Sequence, residues 1–340
     1  MAEAITSPYF REPAAAPSTG IPFFARRRAT EEAKDERMVA EETEDALVQR
    51  YTLPGRGGMV TGPELLAMIP DRLRRLKDVV RNYIVAYGRG DESIRQGSHA
   101  WLKAREKMLT ASNIGTVLRK NPYETPLALW RKLTHRRPST FDGPAIKFGK
   151  WFEAEAAQRY LARHRVRGPL IELGCIPDEE FPWLGASPDR VTVDGVVIEI
   201  KCPLTRKIKR GQVPVHYWFQ VQLQMRVLGL REAHYVEYRP RDFSPLGREE
   251  YECTRVPYDE DWLREGMPEL RTFHGLVLEG RADPDMPEPS FGPHLVTKST
   301  CGFESWPMPR IRFDESGRPE LESRYALEAW ECEDDEVPVP

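Results

Sequence analysis

Glu199-Ile200-Lys201 sets an acid and a base two residues apart in the apolar run Val196-Val197-Ile198, which reads as a strand. Alternation along a strand sends Glu199 and Lys201 out of one face and Ile200 into the opposite core. Asp189 joins them only if the intervening hairpin has the right register. With a three-residue loop Val193-Asp194-Gly195, position 189 falls opposite 199, and Gly195 supplies the left-handed residue that such loops need. A two-residue Asp194-Gly195 turn would pair 189 with 200 and put the two acids on opposite faces. The sequence therefore predicts a three-residue loop or a bulge near Pro188.

Two carboxylates converging on one point suit a hard cation such as Mg²⁺, which takes oxygen ligands and keeps waters that a phosphate can replace. A lysine beside them can orient or help deprotonate a nucleophilic water and stabilise charge building on phosphoryl oxygens. A Glu-x-Lys by itself is more often a surface ion pair, so the surrounding elements have to carry the argument.

From Pro63 to Tyr87 a helical stripe of apolar residues is interrupted by Pro70. Ser98 can cap a helix running to Glu106, Thr110 to Asn113 can cap one running to Leu118, and Thr125-Pro126 opens another to Leu133. A longer helix is expected over 145–164, with Phe148, Phe152, Ala156 and Tyr160 on one stripe. Strands are expected at 170–176, 186–193, 196–202, 233–239 and 249–255. Helices are expected over 213–230, opened by Pro214, and over 262–280. This order gives an α/β or α+β core with a mixed sheet between helices. Residues 1–60 read as an extension that buries little, 61–93 as a helical prelude, 94–282 as the main domain and 283–340 as a proline-rich extension.

Among 340 residues the formal net charge is −3, so there is no global basic footprint, and contact with nucleic acid needs a local patch. Arg206, Lys207, Lys209 and Arg210, which follow the Glu-x-Lys strand, are that candidate patch for a phosphate backbone. Arg26-Arg27-Arg28 is a weaker one. Five cysteines without C-x-x-C or Cys/His spacing make neither a disulfide framework nor a zinc finger. The seven histidines, His216 and His234 included, lack metal-ligand spacing and read as structural. No apolar run is long enough to span a membrane, and no secretory signal is apparent, so a soluble intracellular protein is expected.

Gly185-Ala186-Ser187-Pro188-Asp189, then Glu199-Ile200-Lys201-Cys202-Pro203, then Gln220-Val221-Gln222 resemble, in this order, the PD-(D/E)XK nuclease core. More narrowly they resemble the lambda exonuclease and YqaJ-type viral recombinase family. Upstream, Gln96-Gly97 with Trp101, Arg105 and Thr110-Ala111-Ser112 resembles the family's opening motif. Gly149 and Glu153 resemble its Gly-x-x-x-Glu helix. The resemblance covers roughly 94 to 240. One departure is Arg190, where the family often has glycine.

The resemblance implies a PD-(D/E)XK fold and a metal site in which Asp189, Glu199 and the carbonyl of Ile200 are ligands. Glu153 would act through a second metal or its water, Lys201 on the nucleophile, and Gln220 as support. Arg105 and Ser112 would hold a 5′ phosphate; a guanidinium fork and a helix start both attract such an anion. The implied activity is Mg²⁺-dependent 5′-to-3′ digestion of linear double-stranded DNA, with Mn²⁺ able to substitute. The implied partners are DNA ends, a single-strand annealing protein and further copies of the chain. The alternatives are an endonuclease on the same core, or a catalytically silent DNA-binding accessory.

Overall fold

The computed structural model describes residues 42–55, 58–137, 143–293 and 304–322. Arg26-Arg27-Arg28 lies outside them. In chain order the elements are α1 (Glu44–Arg50), β1 (Thr52–Gly55), β2 (Gly58–Thr61), α2 (Gly62–Met68), α3 (Arg74–Gly88), α4 (His99–Glu106), β3 (Leu109–Thr110), α5 (Ala111–Val117), α6 (Pro126–Leu133) and α7 (Pro144–Arg163). There follow β4 (Leu170–Ile171), β5 (Ile176–Pro177), β6 (Leu184–Ala186), β7 (Arg190–Thr192), β8 (Val196–Lys201), α8 (Val215–Leu228), β9 (Glu232–Arg239), β10 (Glu250–Pro257), α9 (Trp262–Ala282), β11 (Ile311–Phe313) and β12 (Pro319–Leu321).

The central sheet has the order β10-β9-β8-β7-β4, with β8 and β9 parallel and the other neighbours antiparallel. Two strands in the same direction need a long crossover, and α8 provides it. A second sheet, β3-β6-β5, stands beside the first. This is the mixed α/β class the sequence predicts.

Strand β8 is buried on both faces. Val197 packs with Val221, Met225 and Tyr235 on the α8 side, whereas Ile198 and Ile200 pack with Phe148, Phe152 and Val236 on the α7 side. Such two-sided burial marks a central strand. Helix α8 stops at Gly229, whose φ of 65° is a left-handed cap open to glycine. Helix α5 approaches α8 so closely that a Cβ at Gly115 would lie 2.6 Å from the Cα of His216. Glycine at 115 therefore lets the two helices meet.

Three expectations need correction. The segment 170–176 is not one strand but β4 and β5, which belong to different sheets. The segment 186–193 likewise breaks at Ser187-Pro188-Asp189, where the chain leaves the smaller sheet for the larger. Pro188 cannot donate to a ladder there, and Gln96 Nε2 holds the bend by donating to the Pro188 carbonyl at 3.0 Å and the Leu173 carbonyl at 2.6 Å. Finally, the described parts of the two terminal segments hold more order than their composition suggests. Residues 44–61 form α1 and a hairpin, and Leu47, Val48 and Tyr51 are buried in the main core beside α3. At the other end, β11 and β12 pair, and Ile311 and Leu321 pack on the α7-side core.

Candidate functional site

The β7–β8 hairpin pairs Arg190 with Ile198 and Val191 with Val197, so 189 stands opposite 199. That is the three-residue-loop register. Gly195 has φ 88° and donates its N–H to the Thr192 carbonyl at 3.0 Å, while the Thr192 hydroxyl accepts from Val196 N at 3.0 Å. The loop thus closes with the conformation that the sequence requires of glycine.

Beyond β7 the carboxylate of Asp189 replaces a ladder carbonyl: its Oδ2 accepts the Ile200 N–H at 2.7 Å. The C=O of a strand residue leaves from the same edge as its N–H, so the Ile200 carbonyl also faces Asp189.

Glu199 is fully buried. Its Oε1 accepts from the Lys201 ammonium and from Gln220 Nε2 at 2.6 Å, and its Oε2 accepts from Gln224 Nε2 at 2.6 Å. Lys201 also lies 5.0 Å from the centre of the Tyr217 ring. Glu153, on α7, accepts from Arg190 Nη1 at 3.4 Å. Arg190 is therefore more than a turn variation, because its guanidinium faces an acid that the sequence analysis selects.

The charges of this cluster are unbalanced. Burial first, then the charges of Glu199 and Glu153, push the Asp189 carboxyl well above the ordinary carboxylate range. Burial likewise raises Glu153, against the pull of Arg190 and Lys201. For Lys201, burial acts to lower the pKa, but Glu199 and Asp189 outweigh it and keep the ammonium charged. Three acids drawn together in a poorly solvated place, with a free edge of oxygen donors, fit a hard divalent cation, which would relieve their mutual repulsion. Asp189, Glu199 and the Ile200 carbonyl are the groups that would hold it.

A second cluster adjoins the first. Arg105 stacks over the Trp101 ring at 4.4 Å and donates to Ser187 Oγ at 3.0 Å, Thr110 Oγ1 at 3.3 Å and Ser112 Oγ at 3.5 Å. Burial lowers the Arg105 pKa, a shift that Cys175 and Glu199 oppose. Among the described residues this guanidinium meets hydroxyls instead of a carboxylate, which leaves its charge available to an anion. Ser112 is the second residue of α5, and the Thr110 side chain makes no cap hydrogen bond.

The basic run fares differently. Arg206 is buried and ion-paired with Glu237, so it does not belong to a solvated phosphate-binding patch. Lys207 and Lys209 both pair with Glu304, and Arg210 is exposed. The cause is long-range: the chain around 304–306 lies along 205–207, with Trp306 N donating to the Thr205 carbonyl at 2.7 Å.

Sequence reading misses two participants. Gln224 sits one helical turn beyond Gln220 and so shares its face, whereas Gln222 of the quoted motif points away, to the Pro257 carbonyl at 2.9 Å. The four-residue step was the available signal. Ser187 lies inside the quoted Ser-Pro-Asp and contributes its hydroxyl to the Arg105 cluster.

Residues 100–231 match the model of the YqaJ-like viral recombinase domain. An uncharacterised protein of Acanthamoeba polyphaga mimivirus is 27% identical over 166 residues, covering 44% of this chain and 30% of that protein. The uncharacterised protein YqaJ of Bacillus subtilis (strain 168) is 26% identical over 191 residues, covering 54% of this chain and 57% of that protein. The chain thus spans only part of the length of these curated relatives. The crystal structure of LHK-Exo in complex with dAMP is 26% identical, with a TM-score of 0.47, covering 54% of this chain and 95% of that one. LHK-Exo is an alkaline exonuclease from Laribacter hongkongensis. Every side chain of the two clusters, from Trp101 to Gln224, falls within the segment that matches the YqaJ-like viral recombinase domain model.

Proposed function

We propose that this chain is a Mg²⁺-dependent deoxyribonuclease that digests linear double-stranded DNA in the 5′-to-3′ direction. The observation that carries the reading is the hairpin register that sets Asp189 opposite Glu199 and Lys201. The exonuclease alkaline relative and the recombinase-domain match support a nuclease.

Asp189, Glu199 and the Ile200 carbonyl would hold Mg²⁺ or Mn²⁺, which would supply Lewis-acid polarisation of the scissile phosphate and of water. The protein's own residues do the rest. Gln220 and Gln224 fix the Glu199 carboxylate by donating one amide to each oxygen. Lys201, kept protonated by its acidic neighbours, orients the water and faces the charge that grows on the phosphoryl oxygens. Water adds to phosphorus as the bond to the 3′ oxygen opens, and a proton passes to that leaving oxygen. Glu153, its charge balanced by Arg190, would hold a second ion or that ion's water. Arg105, Ser112 and Ser187 hold the terminal 5′ phosphate. The 3′ strands left behind are substrates for a single-strand annealing protein, and a ring of several copies would favour processive digestion.

The test is digestion with Mg²⁺ of linear duplex carrying 5′ phosphates, beside covalently closed circles. Linear DNA is degraded, circles survive, and Asp189→Ala and Lys201→Ala are nearly inert. Equal cutting of circles makes the chain an endonuclease, and cutting of neither makes it a DNA-binding accessory. Arg105→Ala removes the preference for 5′-phosphate over 5′-hydroxyl ends; equal use of both ends by the unmodified chain refutes the end pocket.

A further inference from the structure

On the face of the central sheet opposite Glu199, three residues of metal-ligating type come together from three parts of the chain. His164 follows the last residue of α7, His234 lies on β9 and Cys253 on the edge strand β10, and their donor atoms all lie within 4.8 Å of one another. The alternation of β9 puts His234 on the α7 side and its neighbour Tyr235 on the α8 side. Along α7, eleven residues from Glu153, His164 stands about 16 Å away down the helix axis. The cluster is thus separate from the carboxylate centre.

The surroundings suit a resident ion. His234 Nδ1 is 2.7 Å from the Tyr160 hydroxyl, and its Nε2 is 3.1 Å from Glu232 Oε1. One of these contacts orients the ring as a second partner orients a ligating histidine, and the other gives way to the ion. Tyr160 stacks on the His164 ring at 4.4 Å, and the Tyr251 hydroxyl lies 3.0 Å from His164 Nε2. Burial lowers the pKa of both histidines, which favours the neutral imidazoles that a metal needs. Burial, with the charge of Glu252, pushes the Cys253 thiol up to about 11. A free thiolate there is costly, and a cation at sulfur would offset that cost.

We propose that His164, His234 and Cys253 form a structural site for a transition-metal dication, Zn²⁺ foremost, that ties the end of α7 to β9 and β10. Two imidazoles and a thiolate, with water in the fourth position, make a donor set that selects Zn²⁺ over Mg²⁺. The thiolate offsets one charge of the ion, and the Cys253 proton leaves to solvent on binding.

Co²⁺ titration of the metal-stripped full-length chain is the test. One equivalent gives tetrahedral visible bands and a thiolate-to-cobalt band in the near ultraviolet. The thiolate band is lost in Cys253→Ser, and the visible bands weaken in His234→Asn. Asp189→Asn keeps both, so failure of the nuclease reading leaves this result intact. On the unmodified chain, Zn²⁺ slows maleimide alkylation of Cys253 by about tenfold or more, because the bound thiolate is no longer free to attack. Absence of the thiolate band, its survival in Cys253→Ser, or alkylation of Cys253 indifferent to Zn²⁺ overturns the proposal.

Discussion

Two carboxylates buried on adjacent strands of the central sheet meet opposite fates. Glu237, on β9, lies 1% exposed against Arg206, with the Tyr235 hydroxyl beside it. Glu199, on β8, lies 0% exposed against two neutral amides and a lysine that it shares electrostatically with Asp189. The first is a closed ion pair in which charge and hydrogen bonds are settled within the fold. The second is left in deficit, because Asp189 and Glu153 add negative charge that Lys201 and Arg190 only partly cancel. Burial alone therefore does not mark a functional acid; an uncompensated neighbour does.

The sharpest way to break this contrast is the same substitution in both places. Glu199→Gln should lower single-turnover cleavage with Mg²⁺ by roughly three orders of magnitude, on the scale of losing a principal electrostatic contribution, with little loss of fold. Glu237→Gln should do the reverse: cleavage by the folded fraction persists, while urea denaturation shows a loss of about 3–5 kcal/mol, as expected when a buried pair loses one partner. If Glu237→Gln abolishes cleavage in fully folded protein, the distinction fails.

A smaller effect separates the two sites by pH. The folded-state pKa of Asp189 lies above its unfolded value, so the metal-free native chain binds that proton more tightly. The associated stability is present at acid pH and is lost as pH rises from the usual aspartate range through the folded pKa. Asp189→Asn should accordingly melt above the unmodified metal-free chain at neutral pH, with the gap closing towards pH values of about 4. A melting temperature unchanged at neutral pH would show that the acid cluster carries no strain. The smallest expected effect is at the basic run. Lys207→Ala and Lys209→Ala should each reduce the salt slope of DNA binding by about 1, whereas Arg206→Ala should leave the slope alone and destabilise the fold. Fluorescence anisotropy across a salt series reads the difference.

The sequence carries much of the site because its decisive constraint is local. The residues around Gly195 leave two registers open, and the three-residue loop that the structure adopts is the one in which Asp189 faces Glu199. Arg206 was misread for the opposite reason: a basic residue in a basic run looks solvated, and only Glu237 on another strand reveals its burial. The same limit hid the ordered N-terminal segment, where Leu47 and Val48 sit in a Glu-rich stretch and acquire a core only when α3 is beside them. His164, His234 and Cys253 show no ligand spacing because they come from three parts of the chain. Domain limits at 61, 94 and 283 follow composition, while the packing of 44–61 joins the first of those segments to the second.

The bend at Ser187-Pro188-Asp189 ties the Arg105 cluster to the acid cluster through a single intervening residue. Ser187 touches Arg105 and Asp189 touches β8, with only Pro188 between them and Gln96 pinning its carbonyl. Two extended residues reach at most about 7 Å. Under the proposed chemistry, this short bend would hold the 5′-phosphate pocket at a fixed offset from the acid cluster, so that a shift of one is transmitted to the other.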